Sequence, residues 1–255
     1  MKLASSILLS ISCLFSAMTS HGDTLRVAVA SNFVHALRLL SDDFTMQSGH
    51  ELRISSASTG KLYMQIQHGA PFDVFMSADE KRPELLVAEG RAEASSAYVY
   101  AIGRLVFVSN IVPPESCQMI LRSAALERLS IANPEIAPYG TASRQVLEKL
   151  ELWSELEPRI VFGENIAQAL QYVATKNAQA GFIARSVFNL ALLQEKKEVD
   201  SVCFWDVPAD MHSPIKQKMV VMNKTKGGAA VQAFSRYMRS EHAKKIIKAA
   251  GYDVL

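Results

Sequence analysis

Cysteine is scarce in this chain: 255 residues carry three, Cys13, Cys117 and Cys203. The latter two stand far apart with no nearby histidine, which excludes a zinc signature. Spacing alone leaves open whether Cys117 and Cys203 pair in an oxidising compartment or stay as two thiols. An excess of charge is also missing. The formal net charge is +2, which gives no electrostatic support to a nucleic-acid partner. No fixed-period repeat and no low-complexity tract occurs, and no long apolar run follows the N-terminal region. Catalytic signatures are missing as well. There is no Gly-x-Ser-x-Gly elbow and no His-Glu-x-x-His pair, and the six histidines are scattered. Ser58-Thr59-Gly60-Lys61 invites a phosphate-loop reading, but Ser55 and Leu62 stand where that pattern needs Gly and a hydroxyl residue. Asp73 and Asp79 flank a strand like a paired acid and base. Carboxylates in such places more often cap helices or solvate a loop, so no convincing catalytic set emerges.

The N-terminus reads as a signal peptide over residues 1–22. Lys2 supplies the positive end, and Leu3 to Met18 is apolar or small, too short and too rich in Ser for a good membrane span. Cleavage is expected between Ala17 and Asp23. Cys13 raises a lipoprotein reading, but Ser10-Ile11-Ser12 is a poor lipidation context. The expectation is an exported, soluble protein without a lipid anchor, with Cys13 lost on processing.

The rest of the chain alternates strand and helix. Leu25 to Ala30 reads as a strand. Phe33 to Ser48 is amphipathic, with Val34, Leu37, Leu40 and Phe44 at helical spacing and Gly49 as its stop. Strands are expected over Glu51 to Ile54, Phe72 to Ser77, Arg104 to Ser109, Leu129 to Ala132, Ile160 to Phe162, Ala180 to Ala184 and Lys218 to Asn223. Helices are expected over Lys61 to His68, Pro83 to Glu89, Ser143 to Leu152, Ile166 to Thr175 and a final region from Ala229 to Ala250. A loop carries Pro113-Pro114. This alternation argues for an α/β fold with largely parallel sheets.

Four junctions share one chemistry. Each runs from a short apolar strand through small hydroxyl, amide or glycine residues into a helix: Ser31-Asn32, then Ser55 to Gly60, then Asn133-Pro134 with Pro138-Tyr139-Gly140, then Gly163-Glu164-Asn165. Such junctions lie at the carboxyl ends of strands, where α/β sheets bind ligands. Each aims backbone N–H groups and the positive end of a helix dipole at one place. Several converging would make an anion site without any buried Lys or Arg.

Strung together, these segments resemble the molybdate-binding proteins of bacterial ABC importers, in the subgroup with Asn after the first strand. The residues that carry the resemblance are Ala30-Ser31-Asn32-Phe33, Ser58-Thr59-Gly60-Lys61 and the run from Gln65 through Gly69-Ala70-Pro71 to Glu80. They continue with Tyr100 to Val106, Ala132 to Gly140, Gly163 to Gln168, and Ala249-Ala250-Gly251-Tyr252. The resemblance covers essentially the whole mature chain, in order. It implies a two-lobed type II periplasmic binding protein with two crossover strands and an anion in the cleft. Lobe 1 would comprise 23–102 plus 213–255, and lobe 2 would be 103–212. Ser31, Asn32 and Thr59 would bind oxyanion oxygens from lobe 1. Thr59 aligns with a position that is usually Ser. Tyr139 and Ile166 would contribute backbone N–H groups from lobe 2, with Ser58 and Asn165 in support, Asn165 as a helix cap. Many relatives carry a Tyr after the strand that here reads Gly181-Phe182-Ile183, where this chain has Ala184; Asn32 would supply the missing donor.

The resemblance further implies a monomeric periplasmic protein that is not an enzyme and has no cofactor. Its ligand would be molybdate or tungstate, its partner the membrane permease of an ABC importer, with no nucleic acid. Molybdenum would be held only as the oxyanion, without direct protein–metal ligands. Two other readings stand beside this one: a binding protein for sulfate, phosphonate or another small anion, and an exported hydrolase using Ser31 or Thr59.

Overall fold

The computed structural model describes residues 22–111, 115–189 and 203–255. Residues 1–21 of the signal-peptide segment, with Cys13, and the Pro113-Pro114 loop lie outside the described residues. The strands are β1 (Thr24–Ala30), β2 (Glu51–Ala57), β3 (Val74–Met76), β4 (Tyr98–Gly103), β5 (Leu105–Ser109), β6 (Leu129–Ala132), β7 (Ile160–Gly163), β8 (Ala180–Ala184), β9 (Cys203–Asp206) and β10 (Ile215–Val221). The helices are α1 (Val34–Ser48), α2 (Thr59–Gln67), α3 (Lys81–Ala88), α4 (Pro138–Lys149), α5 (Trp153–Leu156), α6 (Ile166–Ala174), α7 (Ala229–Met238) and α8 (Glu241–Ala249).

The strands form two five-stranded sheets, in the orders β2-β1-β3-β10-β4 and β7-β6-β8-β5-β9. The chain passes from the first sheet to the second through Arg104, between β4 and β5, and returns between β9 and β10. This is the two-lobed α/β architecture that the resemblance implied. The expectation of largely parallel sheets needs correction: both sheets are mixed. β1 pairs in parallel with β2 and β3, but β10 runs antiparallel to β3 and β4. In the second sheet β6 is parallel to β7 and β8, while β5 is antiparallel to β8 and β9. In each lobe the strand that runs antiparallel to the parallel set, β10 in the first and β5 in the second, enters from the other lobe, so no crossover within its own sheet requires it to run parallel.

Each sheet is covered on both faces. Leu37, Leu40 and Phe44 of α1 pack with Phe234 and Met238 of α7, Ile247 of α8 and the β1 residues Leu25, Val27 and Val29. Leu62, Ile66 and Leu86 of α2 and α3 cover the opposite face through Ala28, Phe75 and Val220. In the second lobe Val146 and Leu147 of α4 and Ala169 of α6 bury against Phe107, Ile131 and Phe182. Removing one large apolar side chain of this kind from water contributes about 1.5–3 kcal/mol. Gly49 closes α1 in the left-handed region, at φ 74°. Outside this core, Asp43 of α1 accepts hydrogen bonds from Tyr237 Oη at 2.7 Å and from Gln47, with His242 Nε2 at 3.0 Å, so one carboxylate ties α1 to α7 and α8. Cys117 and Cys203 are joined as a disulfide, Cα to Cα 5.6 Å, and this settles their pairing. It fastens the helical turn Cys117–Arg122 to β9 at the edge of the second sheet.

Candidate functional site

Parallel pairing of β1, β2 and β3 brings the carboxyl ends of β1 and β2 side by side, with Ala30 opposite Ala57. A helical turn (Ser31–Phe33) then leads into α1, and Ser58 leads into α2. In the second sheet β6 and β7 end together, Ala132 opposite Gly163, and α4 and α6 begin beyond them. The four helix starts meet around one small cavity between the sheets. Ser31, Asn32, Ser58 and Thr59 line it from one side, and Tyr139, Asn165 and Ile166 from the other; alanines and Pro138 complete its wall. All seven residues picked out by sequence therefore stand at this cavity. Among the described residues, no Lys, Arg, His, Asp or Glu lines it.

The hydrogen bonds show what these residues have to spare. A helix start leaves its first N–H groups without intrahelical acceptors. In α6, Asn165 Oδ1 accepts from Ala167 and Gln168, as expected of a cap, and the N–H of Ile166 is passed over. In α4, Pro138 has no N–H, Gly140 and Thr141 bond to Ala137, and Tyr139 is passed over. In α2, Gly60 bonds to Ile136, Leu62 bonds to Ser58, and Thr59 is passed over. The N–H of Asn32 likewise has no acceptor among the bonds outside regular elements. All four residues are buried, at 3% exposure or less. A buried N–H without a partner is costly, so four around one cavity describe a place built to receive acceptor atoms.

Two hydroxyls add to the set. Thr59 Oγ1 accepts the N–H of Ala78 at 3.0 Å, which leaves its own proton free to donate. Ser58 is 2% exposed, and among the described residues its Oγ is the one buried side-chain polar atom without a hydrogen-bond partner. Ser58 is also the N-cap of α2 by position, yet its side chain makes no capping bond.

Asn32 departs from expectation. Its side-chain amide does not offer the missing donor to the cavity. Both hydrogens of Nδ2 are engaged behind the wall, on Gln217 Oε1 at 2.8 Å and on Tyr252 Oη at 3.1 Å. What remains at the cavity is the backbone N–H. The sequence reading missed the polar layer that holds the amide: Tyr252 donates to the Asn32 carbonyl at 2.6 Å, Ser186 donates to Tyr252 at 2.8 Å, and Tyr100 and Tyr139 both bond to Gln217. Burial pushes the phenols of Tyr100, Tyr139 and Tyr252 well above their ordinary range, so they stay neutral. Asp73 and Asp79, the candidate acid–base pair, serve elsewhere. Asp73 is ion-paired with Arg26 at 2.8 Å, and Asp79 accepts from Arg82 and Ser77.

The two lobes also touch at the rim. Gly60 donates to Ile136 across the cleft, Arg82 donates to the Glu135 carbonyl at 3.0 Å, and Lys61 pairs with Glu164 at 2.6 Å.

The sequence matches the family described as bacterial extracellular solute-binding proteins over residues 25–253. It is 39% identical over 241 residues to the molybdate-binding protein ModA of Azotobacter vinelandii, covering 93% of each chain. It is 37% identical over 225 residues to the molybdate-binding protein ModA of Rhodobacter capsulatus, covering 88% of this chain and 86% of that one. Among solved structures, the Azotobacter vinelandii periplasmic molybdate-binding protein is similar with a TM-score of 0.80 at 38% identity, over 91% of this chain and 99% of that one. The sulfate-binding protein SubI from Mycobacterium tuberculosis has a TM-score of 0.74 at 12% identity, over 90% and 86% of the two chains, a likeness of fold alone.

Proposed function

We propose that this chain, which belongs to the family of bacterial extracellular solute-binding proteins, captures molybdate in the periplasm and hands it to the membrane permease of an ABC importer. The observation that carries this reading is the set of unpartnered donors at an uncharged cavity: the N–H groups of Asn32, Thr59, Tyr139 and Ile166 and the Ser58 and Thr59 hydroxyls. Ser31, which also lines the cavity, adds a further hydroxyl from the first helix start. Molybdate is a tetrahedral dianion at neutral pH, and its oxygens can accept from all of these. Each hydrogen bond to a charged group contributes roughly 1.5–3 kcal/mol, so a handful outweighs desolvation and reaches micromolar affinity or better, about −8 kcal/mol. The relatives named for molybdate support that anion, and tungstate has nearly the same size and the same charge.

Among the described residues no carboxylate lines the cavity to accept the proton of a hydrogen phosphate, which disfavours that anion. Among the described residues of the cavity wall, Ser31, Ser58 and Thr59 have no general base beside them, and the reading is binding without turnover. The protein works as a monomer in this reading, with 1–22 removed on export. A thermal-shift panel of the mature protein with molybdate, tungstate, sulfate, phosphate and citrate tests it. At about 100 times the dissociation constant the bound oxyanion stabilises by roughly 2.7 kcal/mol. Molybdate and tungstate are expected to do this, and sulfate and phosphate weakly or not at all. Equal shifts with sulfate would remove molybdate as the assigned ligand.

A further inference from the structure

Tyr139 reaches in two directions. Its backbone N–H lies at the cavity, while its ring extends away from it to the crossover between the lobes. A Cβ built on Gly103, the last residue of β4, would lie 2.2 Å from the Tyr139 hydroxyl oxygen and 2.8 Å from its Cζ. Gly103 is not in the left-handed region, so glycine is needed there for room and not for backbone conformation. The same phenol oxygen accepts from Gln217 Nε2 at 3.2 Å. Gln217 is fully buried in β10, where the register with β4 shifts, and its Oε1 accepts from Asn32 and from Tyr100. Asn32, Tyr100, Gly103 and Gln217 all belong to the first sheet or its helix start, whereas Tyr139 belongs to the second lobe. Of the bonds to the Gln217 amide among the described residues, the one to Tyr139 is thus the one that spans the lobes.

We propose that Tyr139 couples the captured anion to the crossover, with Gly103 and Gln217 as positioning residues. Closing over an oxyanion seats the phenol on the bare Cα of Gly103 and under the Gln217 amide, and a group that occupies the seat while the phenol is present holds the lobes apart. A buried amide donor that loses its acceptor pays desolvation without return, so the seat favours the closed arrangement. A side chain at 103 bars it. This inference rests on the oxyanion reading above.

The test compares wild type, Gly103→Ala, Tyr139→Ala, the Gly103→Ala/Tyr139→Ala double variant and Gln217→Met, by calorimetry with sodium molybdate and by small-angle scattering. Tyr139→Ala removes the ring and keeps the backbone N–H. Wild type is expected to bind and become more compact. Gly103→Ala is expected to bind at least tenfold more weakly and to stay extended with molybdate, with an unchanged melting temperature before molybdate is added. The double variant is expected to regain at least threefold of that loss, because the atom that collides is gone. Gln217→Met is expected to weaken binding at least threefold, and it keeps the question answerable should Gly103→Ala fold poorly. Wild-type affinity and compaction in Gly103→Ala or in Gln217→Met would overturn the coupling, as would a double variant no better than Gly103→Ala. A wild-type protein indifferent to molybdate and tungstate would instead overturn the oxyanion reading, and the coupling with it.

Discussion

Gly60 donates its backbone N–H to the carbonyl of Ile136 at 2.9 Å, so the second N–H of α2 is bonded to the opposite lobe. The approach depends on a missing side chain: a Cβ on Gly60 would stand 3.0 Å from both Cα and Cβ of Ile136. The lobes meet here as closely as backbone allows.

Gly60→Ala should therefore weaken oxyanion binding by about 1–3 kcal/mol, the usual cost of an added methylene in a packed place. The unliganded protein should lose little, because the lobe carrying Ile136 can give way. Calorimetry with molybdate, set beside thermal melts without it, separates the two quantities. Full wild-type affinity would show that the rim contact does not limit closure.

Ser58→Ala and Asn32→Ala should fail in different ways. Ser58 Oγ has no partner among the described residues, so deleting it should cost roughly 1.5–3 kcal/mol of oxyanion binding and leave the unliganded melt unchanged or slightly higher. Asn32→Ala strips a partner from Gln217 and Tyr252, so it should lower the unliganded stability by about 1–3 kcal/mol and weaken binding through the displaced backbone. If the Asn32 variant melted like wild type and lost only affinity, its amide would be a direct ligand after all.

Reducing the Cys117–Cys203 disulfide, or replacing both cysteines with Ala, should lower stability by about 2–4 kcal/mol. The sulfur bridge lies in the second lobe away from the cavity wall, so affinity measured on the folded variant should stay within a few-fold of wild type. Urea melts with and without reductant check the first statement. A disulfide-free protein that folds normally but has lost its anion would contradict the second.

Acid should loosen the first lobe through Asp43. The hydrogen bond from Tyr237, helped by His242 and Gln47 against burial, holds its carboxylate below the ordinary range. A carboxylate with a lowered folded pKa contributes stability that is fully present above its unfolded value, about 3.9, and that is lost as pH falls through the lowered value. Asp43→Asn should thus be less stable than wild type at pH 7, with the gap narrowing below about pH 4. Melts across that range decide it; a gap that is constant with pH would point to packing instead of charge.

Much of this architecture was open to reading because the signals were local. The Asn165 cap, the apolar stripe of α1 and the strand Ala180–Ala184 stand where expected. Element bounds differ from the sequence reading both where long-range pairing overrides local preference and where a local start signal stands inside a longer pattern. β2 runs on through Ser55, Ser56 and Ala57, residues that the local pattern assigns to the junction, because each pairs with a β1 residue. α4 starts five residues before the expected Ser143, with Pro138 in its first turn, where a missing N–H costs nothing. The final helical region breaks in two at Ser240, whose hydroxyl caps α8. β4 and β9 are strands that the sequence pattern does not assign. The residues of the cavity wall could be named because small polar residues at strand ends are a sequence pattern. The layer behind them could not: Gln217 and Tyr252 lie 185 and 220 positions from Asn32, and no periodicity connects them.

The strand order of the first sheet has a consequence for how the molecule assembles. β10 stands between β3 and β4, so β4 has no place in that sheet until residues 215–221 have been inserted beside it. The pairings Met219 with Met76 and Gln217 with Ala101 bridge more than a hundred residues of chain. The strands of the second sheet all lie between 105 and 206. Distant pairings form slowly because the intervening chain must first be closed into a loop. The second lobe can therefore condense on its own stretch of chain while the first waits, half-built, for β10. A cavity whose walls come from both is among the last features to appear, and an oxyanion can be held only by a chain whose first lobe has already been completed from its far end.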